Sequence, residues 1–205
     1  MPPIESAQTV LILWGVIGYL LGSIPSGLIL ARVMNLGNLR EIGSGNIGAT
    51  NVLRTGNKKA AALTLLFDAL KGAVVVIAAR MLAAEDAAQL GALMAFLGHC
   101  FPIWLKFRGG KGVATYFGIL FAVSWPVGIF AAVVWLGTAA VSRYSSLAAL
   151  LAAGWTPVFV GFTDRGWMFV LVAVLCIAVY IRHAGNIMRL RKGTESKIGA
   201  KSAPK

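Results

Sequence analysis

The sequence predicts an all-α integral membrane protein of seven transmembrane helices, N-terminus outside and C-terminus cytoplasmic, with glycine-rich cytoplasmic loops. Three observations lead there. Of 205 residues, 58% are hydrophobic and 13% charged, about half the charged share of an ordinary soluble domain, and mean hydropathy is +0.79. Apolar runs approaching the roughly 20 residues that cross a bilayer recur along the whole chain. Lysine and arginine collect in alternate connections, as they do in loops retained in the cytoplasm.

The elements follow in order. Residues 1–8 contain Glu5 but no lysine or arginine, so the run at 9–30 lacks the positive n-region of a signal peptide and is expected to persist as a helix. Runs at 60–82, 88–105, 113–125, 126–142, 146–162 and 167–181 complete the seven. Pro126 either separates two spans or kinks one span over 113–142. Separation keeps every basic loop on one side, so seven spans are expected. One domain over 1–193 is expected, followed by a flexible basic tail over 194–205, where Lys, Ser, Ala and Gly replace the apolar pattern.

The basic side carries Arg32, Arg40, Arg54, Lys58 and Lys59, then Lys106, Arg108 and Lys111, then Arg143, and finally Arg182, Arg189, Arg191, Lys192, Lys197, Lys201 and Lys205. The opposite connections hold Glu85 and Asp86, then Asp164 and Arg165. The net charge of +12 is thus concentrated on one face, where it suits membrane lipid headgroups and anionic substrates. No nucleic acid is expected, because the basic loops lack interleaved aromatic residues. Cys100 and Cys176 lie in apolar surroundings, and His99 and His183 are the only histidines. Neither a disulfide framework nor a metal site is expected, and no cofactor.

Three polar clusters fall on the basic side. The loop GSGNIGATNVLRTGNKK, 43–59, alternates Gly43, Gly45, Gly48 and Gly56 with Ser44, Asn46, Thr50, Asn51 and Arg54. Such a stretch offers amides, hydroxyls and a guanidinium to a phosphate. The segment HCFPIWLKFRGGKGVAT, 99–115, places Gly109, Gly110 and Gly112 around Lys111. Glycine lets backbone approach an oxyanion and lysine adds a point charge, although the full P-loop pattern is missing and a basic turn would read the same way. In HAGNIMRLRKGTE, 183–195, Asn186 follows His183 by three residues, which on a continuing helix puts both on one face. Inside the second span, Asp68 and Lys71 stand at i and i+3; a structural ion pair is favoured over a lining role, because unpaired charge is costly in lipid.

These segments, with GSIPSG at 22–27 and RYSSLAAL at 143–150, resemble the bacterial acyl-phosphate:glycerol-3-phosphate acyltransferases, the PlsY family. The resemblance covers nearly the whole chain in order and spacing. One departure is Ala184, where relatives often carry arginine. The resemblance implies transfer of an acyl group from acyl phosphate to the sn-1 hydroxyl of glycerol 3-phosphate, giving lysophosphatidic acid and phosphate, by a monomer in the bacterial inner membrane with its site on the cytoplasmic side. It also implies that Arg54, Lys111, His183 and Asn186 hold glycerol 3-phosphate. Gly43, Gly45, Gly48, Gly109, Gly110, Gly112 and Thr50 would hold the acyl phosphate, with Ser44 at the reacting centre. Asn46, Asn51, His99, Ser146 and Glu195 are further expected substrate-binding residues.

The chemistry is reasonable without the resemblance, since an acyl phosphate has a good leaving group and leaves mainly positioning and charge stabilisation to the protein. Neither histidine is followed by a carboxylate after four intervening residues, Trp104 and Met188 standing there, so an HxxxxD dyad is absent. The proton acceptor is either His183 or a substrate phosphate. An anion transporter and a lipid-binding scaffold are the competing readings. A transporter, however, places its substrate groups near the midplane, whereas the polar clusters here lie at one surface.

Overall fold

The computed structural model describes residues 1–199, and among these every regular element is helical. In chain order they are α1 (Gln8–Gly22), α2 (Ser26–Val33), α3 (Ala49–Val52), α4 (Lys58–Leu82), α5 (Glu85–Cys100), α6 (Val113–Val123), α7 (Trp125–Ser142), α8 (Ser145–Gly161), α9 (Phe169–Arg182) and α10 (Ala184–Arg191). Short 3-10 turns at Leu53–Thr55, Ile103–Leu105 and Gly166–Met168 join some of them.

Four stretches are long and apolar enough to cross a membrane: Gln8–Val33, Lys58–Leu82, Glu85–Leu105 and Trp125–Ser142. Gly166–Arg182 with Ala184–Arg191 makes a fifth, bent by 60°. Val113–Val123 and Ser145–Gly161 are shorter apolar helices. All seven expected runs are therefore helical, but length and composition alone qualify four or five.

Contacts sort the connections into two ends. At one end Arg80 ties Glu85 to the carbonyls of Ala122 and Val123, Asp86 binds Ser6, Gln89 reaches the Trp167 carbonyl, and Arg165 reaches Ser124. At the other end Arg40 meets the Arg108 carbonyl, Arg54 meets Ser196, Arg182 meets the carbonyls of Gly109 and Gly110, and Arg143 meets Ile198. The chain alternates between these ends, and the basic loops share one of them.

Small residues let the helices approach. A Cβ on Gly18 would collide with the Gly91 carbonyl, and one on Gly22 with that of Ala95, so α1 lies backbone to backbone on α5. Gly118 bears in the same way on Ala69 O, joining α6 to α4. This is the packing that replaces hydrophobic drive between helices in lipid. Large apolar side chains meanwhile face outward, Val141 and Phe162 being almost fully exposed.

One break departs from the expected spans and another falls where expected, each with a local cause. The 9–30 run divides at Ser23–Pro25, where proline interrupts the helix. The freed carbonyls are satisfied by side chains, Ser23 O by Trp104 Nε1 at 2.6 Å and Ile24 O by Lys71 Nζ at 3.1 Å. Pro126 separates rather than kinks: Ser124 is extended between α6 and α7 and Pro126 sits in the first turn of α7, where its missing N–H costs nothing.

Candidate active site

One cavity of about 790 Å3 opens at the basic end. Its polar head is lined by Ser44, Asn46, Gly48, Thr50, Asn51, Arg54, Lys111, Gly112, Ser146, His183, Asn186 and Glu195, bringing the three clusters of the sequence together. Its other end runs between α4, α6 and α7 along Leu65, Leu66, Ala69, Ala73, Phe117, Phe121, Trp135 and Leu136. From Lys58 to Ala73 the α4 wall is about 22 Å long at 1.5 Å per residue.

The first loop is organised by Asn51, which is 2% exposed. Its Oδ1 accepts from the Ser44 amide at 3.1 Å, Ser44 Oγ at 3.3 Å and Arg54 Nη1 at 3.3 Å. Its Nδ2 donates to the carbonyls of Leu39 at 3.0 Å and Asn46 at 2.7 Å. Both sides of one amide thus fix the loop while Ser44 and Thr50 remain exposed in the cavity. Gly43 is at φ +52°, and a Cβ there would lie 2.6 Å from Arg54 Cδ, so both its conformation and its neighbour require glycine.

The second cluster splits. Gly112 lines the cavity beside Lys111. Gly109 and Gly110, expected to offer amides to an anion, do not line it. Their amides donate to the carbonyls of Cys100 at 3.1 Å and His99 at 3.0 Å, and their carbonyls accept from Arg182. A Cβ on Gly109 would collide with His99 O, and one on Gly110 with His99 Nε2. These glycines seat the loop on the end of α5. Gly43 and Gly45 also lie outside the cavity lining, behind Ser44 and Asn46.

Burial pushes the Lys111 ammonium down to about 8; Glu195 opposes this, while Arg189, Arg54 and Arg182 add to it. Crowded cations raise the local demand for an anion.

The third cluster does not form on a continuing helix. The chain bends by 60° between α9 and α10, with His183 at the junction, yet His183 and Asn186 are both buried and both line the cavity. Glu195 closes the corner. Its Oε1 accepts from Ser146 Oγ at 2.8 Å and Asn186 Nδ2 at 2.6 Å, and its Oε2 from Arg189 Nε at 2.7 Å. Burial alone would raise the Glu195 carboxyl, but the hydrogen bonds from Asn186, Ser146 and Arg189 outweigh it and hold the group below its ordinary value.

Residues 194–199 begin the expected tail and return across the site. Thr194 N donates to Arg189 O at 2.9 Å, and Ile198 N to Arg143 O at 2.7 Å. Positions 200–205 of that tail lie outside the described residues.

Asp68 and Lys71 form the expected pair at 2.8 Å. His99, 5% exposed, joins them through Nδ1, 2.7 Å from Lys71 Nζ, and both Asp68 and His99 line the cavity. Lys58 and Ile198 line it too, although neither is among the expected site residues. The apolar wall was equally hidden, because residues facing a groove and residues facing lipid have the same hydrophobicity.

The chain is similar to known proteins over nearly its whole length. The family model described as glycerol-3-phosphate acyltransferase matches residues 12–193. A Ruegeria pomeroyi protein named glycerol-3-phosphate acyltransferase is 59% identical over 203 residues, covering 99% of this chain and 100% of its own. A Cereibacter sphaeroides protein of the same name is 57% identical, covering 99% and 97%. The crystal structure of PlsY, an integral membrane glycerol 3-phosphate acyltransferase, in its glycerol 3-phosphate form superposes with a TM-score of 0.85 at 36% identity, over 92% of this chain and 96% of that one. Its lysophosphatidic acid form gives 0.84 at 35%, over 92% and 95%. On a match spanning nearly its whole length, the chain belongs to the glycerol-3-phosphate acyltransferase family of integral membrane proteins.

Proposed function

We propose that this membrane acyltransferase moves a fatty acyl group from acyl phosphate to the sn-1 hydroxyl of glycerol 3-phosphate, releasing lysophosphatidic acid and inorganic phosphate. The observation that carries the reading is a continuous cavity whose cationic, hydroxyl-rich head runs on into an apolar groove. A substrate with a phosphate at one end and a long acyl chain at the other fits that polarity.

In this reading the acyl chain lies along α4, α6 and α7. Ser44, Thr50 and the Gly48 and Gly112 backbone meet the donor's phosphoryl group, while Arg54, Lys111, His183 and Asn186 hold glycerol 3-phosphate. The Glu195 carboxylate holds Asn186, Ser146 and Arg189, so its part is to position the corner. The hydroxyl oxygen bonds to the acyl carbon, the anhydride C–O bond breaks, and its electron pair leaves with phosphate. Charge growing on the carbonyl oxygen and on phosphate is met by cations and hydroxyls already in place. The His183 Nδ1 faces the Val179 carbonyl at 2.8 Å; a carbonyl only accepts, so Nδ1 carries the proton and Nε2 keeps a lone pair for the hydroxyl.

The alternation of basic and other ends supports seven crossings, with the basic end and the site in the cytoplasm of a bacterial inner membrane. We take the working unit as a monomer, since one chain already joins the polar head of the cavity to its apolar groove.

The test is product formation by purified protein in detergent, with palmitoyl phosphate or palmitoyl-CoA at matched concentration. Lysophosphatidic acid from palmitoyl phosphate, lost in Ser44→Ala, is expected. Efficient use of palmitoyl-CoA would overturn the donor assignment. Turnover without a sealed compartment also separates an enzyme from a transporter.

A further inference from the structure

A second polar wall of the cavity has no part in the chemistry so far. Ser26 Oγ donates to Asp68 Oδ1 at 2.5 Å, and Lys71 Nζ donates to the same oxygen at 2.8 Å and to Ile24 O at 3.1 Å. Its remaining neighbour is His99 Nδ1 at 2.7 Å. An ammonium has three N–H groups and no lone pair, so these three acceptors saturate Lys71, and His99 Nδ1 must be accepting. Asp68 Oδ1 is 3.5 Å from that nitrogen, too far to compete for it. The proton of the neutral ring therefore sits on Nε2.

That nitrogen lies against Gly110, where a Cβ would strike it; Gly110 directly precedes Lys111 and Gly112 in the chain, and these two line the same cavity as His99. The chain's two histidines thus line one cavity in opposite tautomers. His183 presents a lone pair, and His99 presents an N–H.

We propose that Ser26, Asp68 and Lys71 are positioning residues that lock His99 with its proton on Nε2, making it an uncharged donor to a phosphoryl oxygen bound beside Lys111. The ion pair is then more than a neutralised charge in lipid. Asp68 anchors Lys71, and Lys71 fixes the tautomer, as second-shell partners do for histidines elsewhere. A lysine serving only to cap the Ile24 carbonyl would need Asp68 but not the ring. The phosphoryl oxygen belongs to acyl phosphate or to glycerol 3-phosphate; assigning it rests on the function proposed above, whereas the tautomer does not.

Two histidines make the test direct. Full-length protein in detergent, carrying isotope-labelled histidine nitrogens, gives two imidazoles by NMR, assigned through His99→Gln. Without substrate, His99 is expected to show an unprotonated Nδ1 and a protonated Nε2, and His183 the reverse. A doubly protonated His99, or one protonated on Nδ1, would overturn the proposal without any variant. In Lys71→Met the His99 tautomers should mix while the His183 signals stay native, which also reports that the protein is folded. The KM for one phosphoryl substrate should rise about 10- to 100-fold, the span of one hydrogen bond to a charged or phosphoryl group. A rise for palmitoyl phosphate assigns the donor's phosphate, and a rise for glycerol 3-phosphate the acceptor's. Ser26→Ala, a milder change, should shift both readouts in the same direction by less. Native tautomers in Lys71→Met, or unchanged KM values for both substrates, would contradict the positioning role. Failure of wild type to use acyl phosphate would sink the donor assignment alone, because the tautomers are read without substrate.

Discussion

Asn186 Nδ2 lies 2.6 Å from Glu195 Oε1, across the turn that follows α10. This contact joins α10 to the returning segment of chain; Arg189 of the same helix holds the other carboxylate oxygen, and Ser146 ties the group to α8. Three donors therefore depend on one carboxylate. Glu195→Ala should lower thermal stability by on the order of 2 kcal/mol, since it leaves polar partners unpaired in a half-closed site, and should reduce kcat as well. Glu195→Gln keeps an acceptor and should recover most of the stability. Equal melting temperatures for Glu195→Ala and wild type would contradict this.

Asn51 makes a separate prediction. It uses both faces of its amide, so Asn51→Asp keeps the acceptor for Ser44 and Arg54 but loses the donors to Leu39 and Asn46. Small displacements of a positioned group cost about 100-fold in rate. Asn51→Ala should approach that loss in kcat/KM, with Asn51→Asp in between and secondary structure by circular dichroism unchanged.

The alkaline limb should belong to Lys111. Its folded pKa is lowered to about 8, so it is charged below that pH and loses its charge as pH rises through it. In the free enzyme, kcat/KM for glycerol 3-phosphate should fall above about pH 8. Lys111→Arg keeps its charge at every accessible pH and should remove that limb, even where the changed geometry lowers the plateau. A limb that stays in place in Lys111→Arg would assign it to another group.

The groove makes its own prediction. Ala73 lies at the far end of the α4 wall. Ala73→Phe should raise the KM for palmitoyl phosphate more than for octanoyl phosphate, because each methylene denied burial costs about 0.8 kcal/mol. An equal effect on both chain lengths would place the acyl tail elsewhere.

Much of this was legible in the sequence for stated reasons. Composition and the alternation of basic loops predicted a helical membrane protein, and the density of Gly, Ser, Asn and Arg in 43–59 marked a loop that does line the cavity. Local spacing also foretold the Asp68–Lys71 pair. What it could not supply was distance along the chain. Ser26 and His99 come to Asp68 from 42 residues upstream and across another helix, and nothing in either segment announces the meeting. Gly109 and Gly110 were read as anion donors because their spacing allowed it, but their amides are spent on the end of α5. The bend at His183 was equally invisible, since HAGNIM carries no proline to signal a break.

The most direct test of acyl transfer is the fate of the bridging oxygen of the donor. Palmitoyl phosphate carrying heavy oxygen between carbon and phosphorus should yield labelled inorganic phosphate and unlabelled lysophosphatidic acid, because attack at the acyl carbon sends that oxygen out with phosphate. Label recovered instead in free palmitate would mean cleavage on the phosphorus side, and would contradict the account.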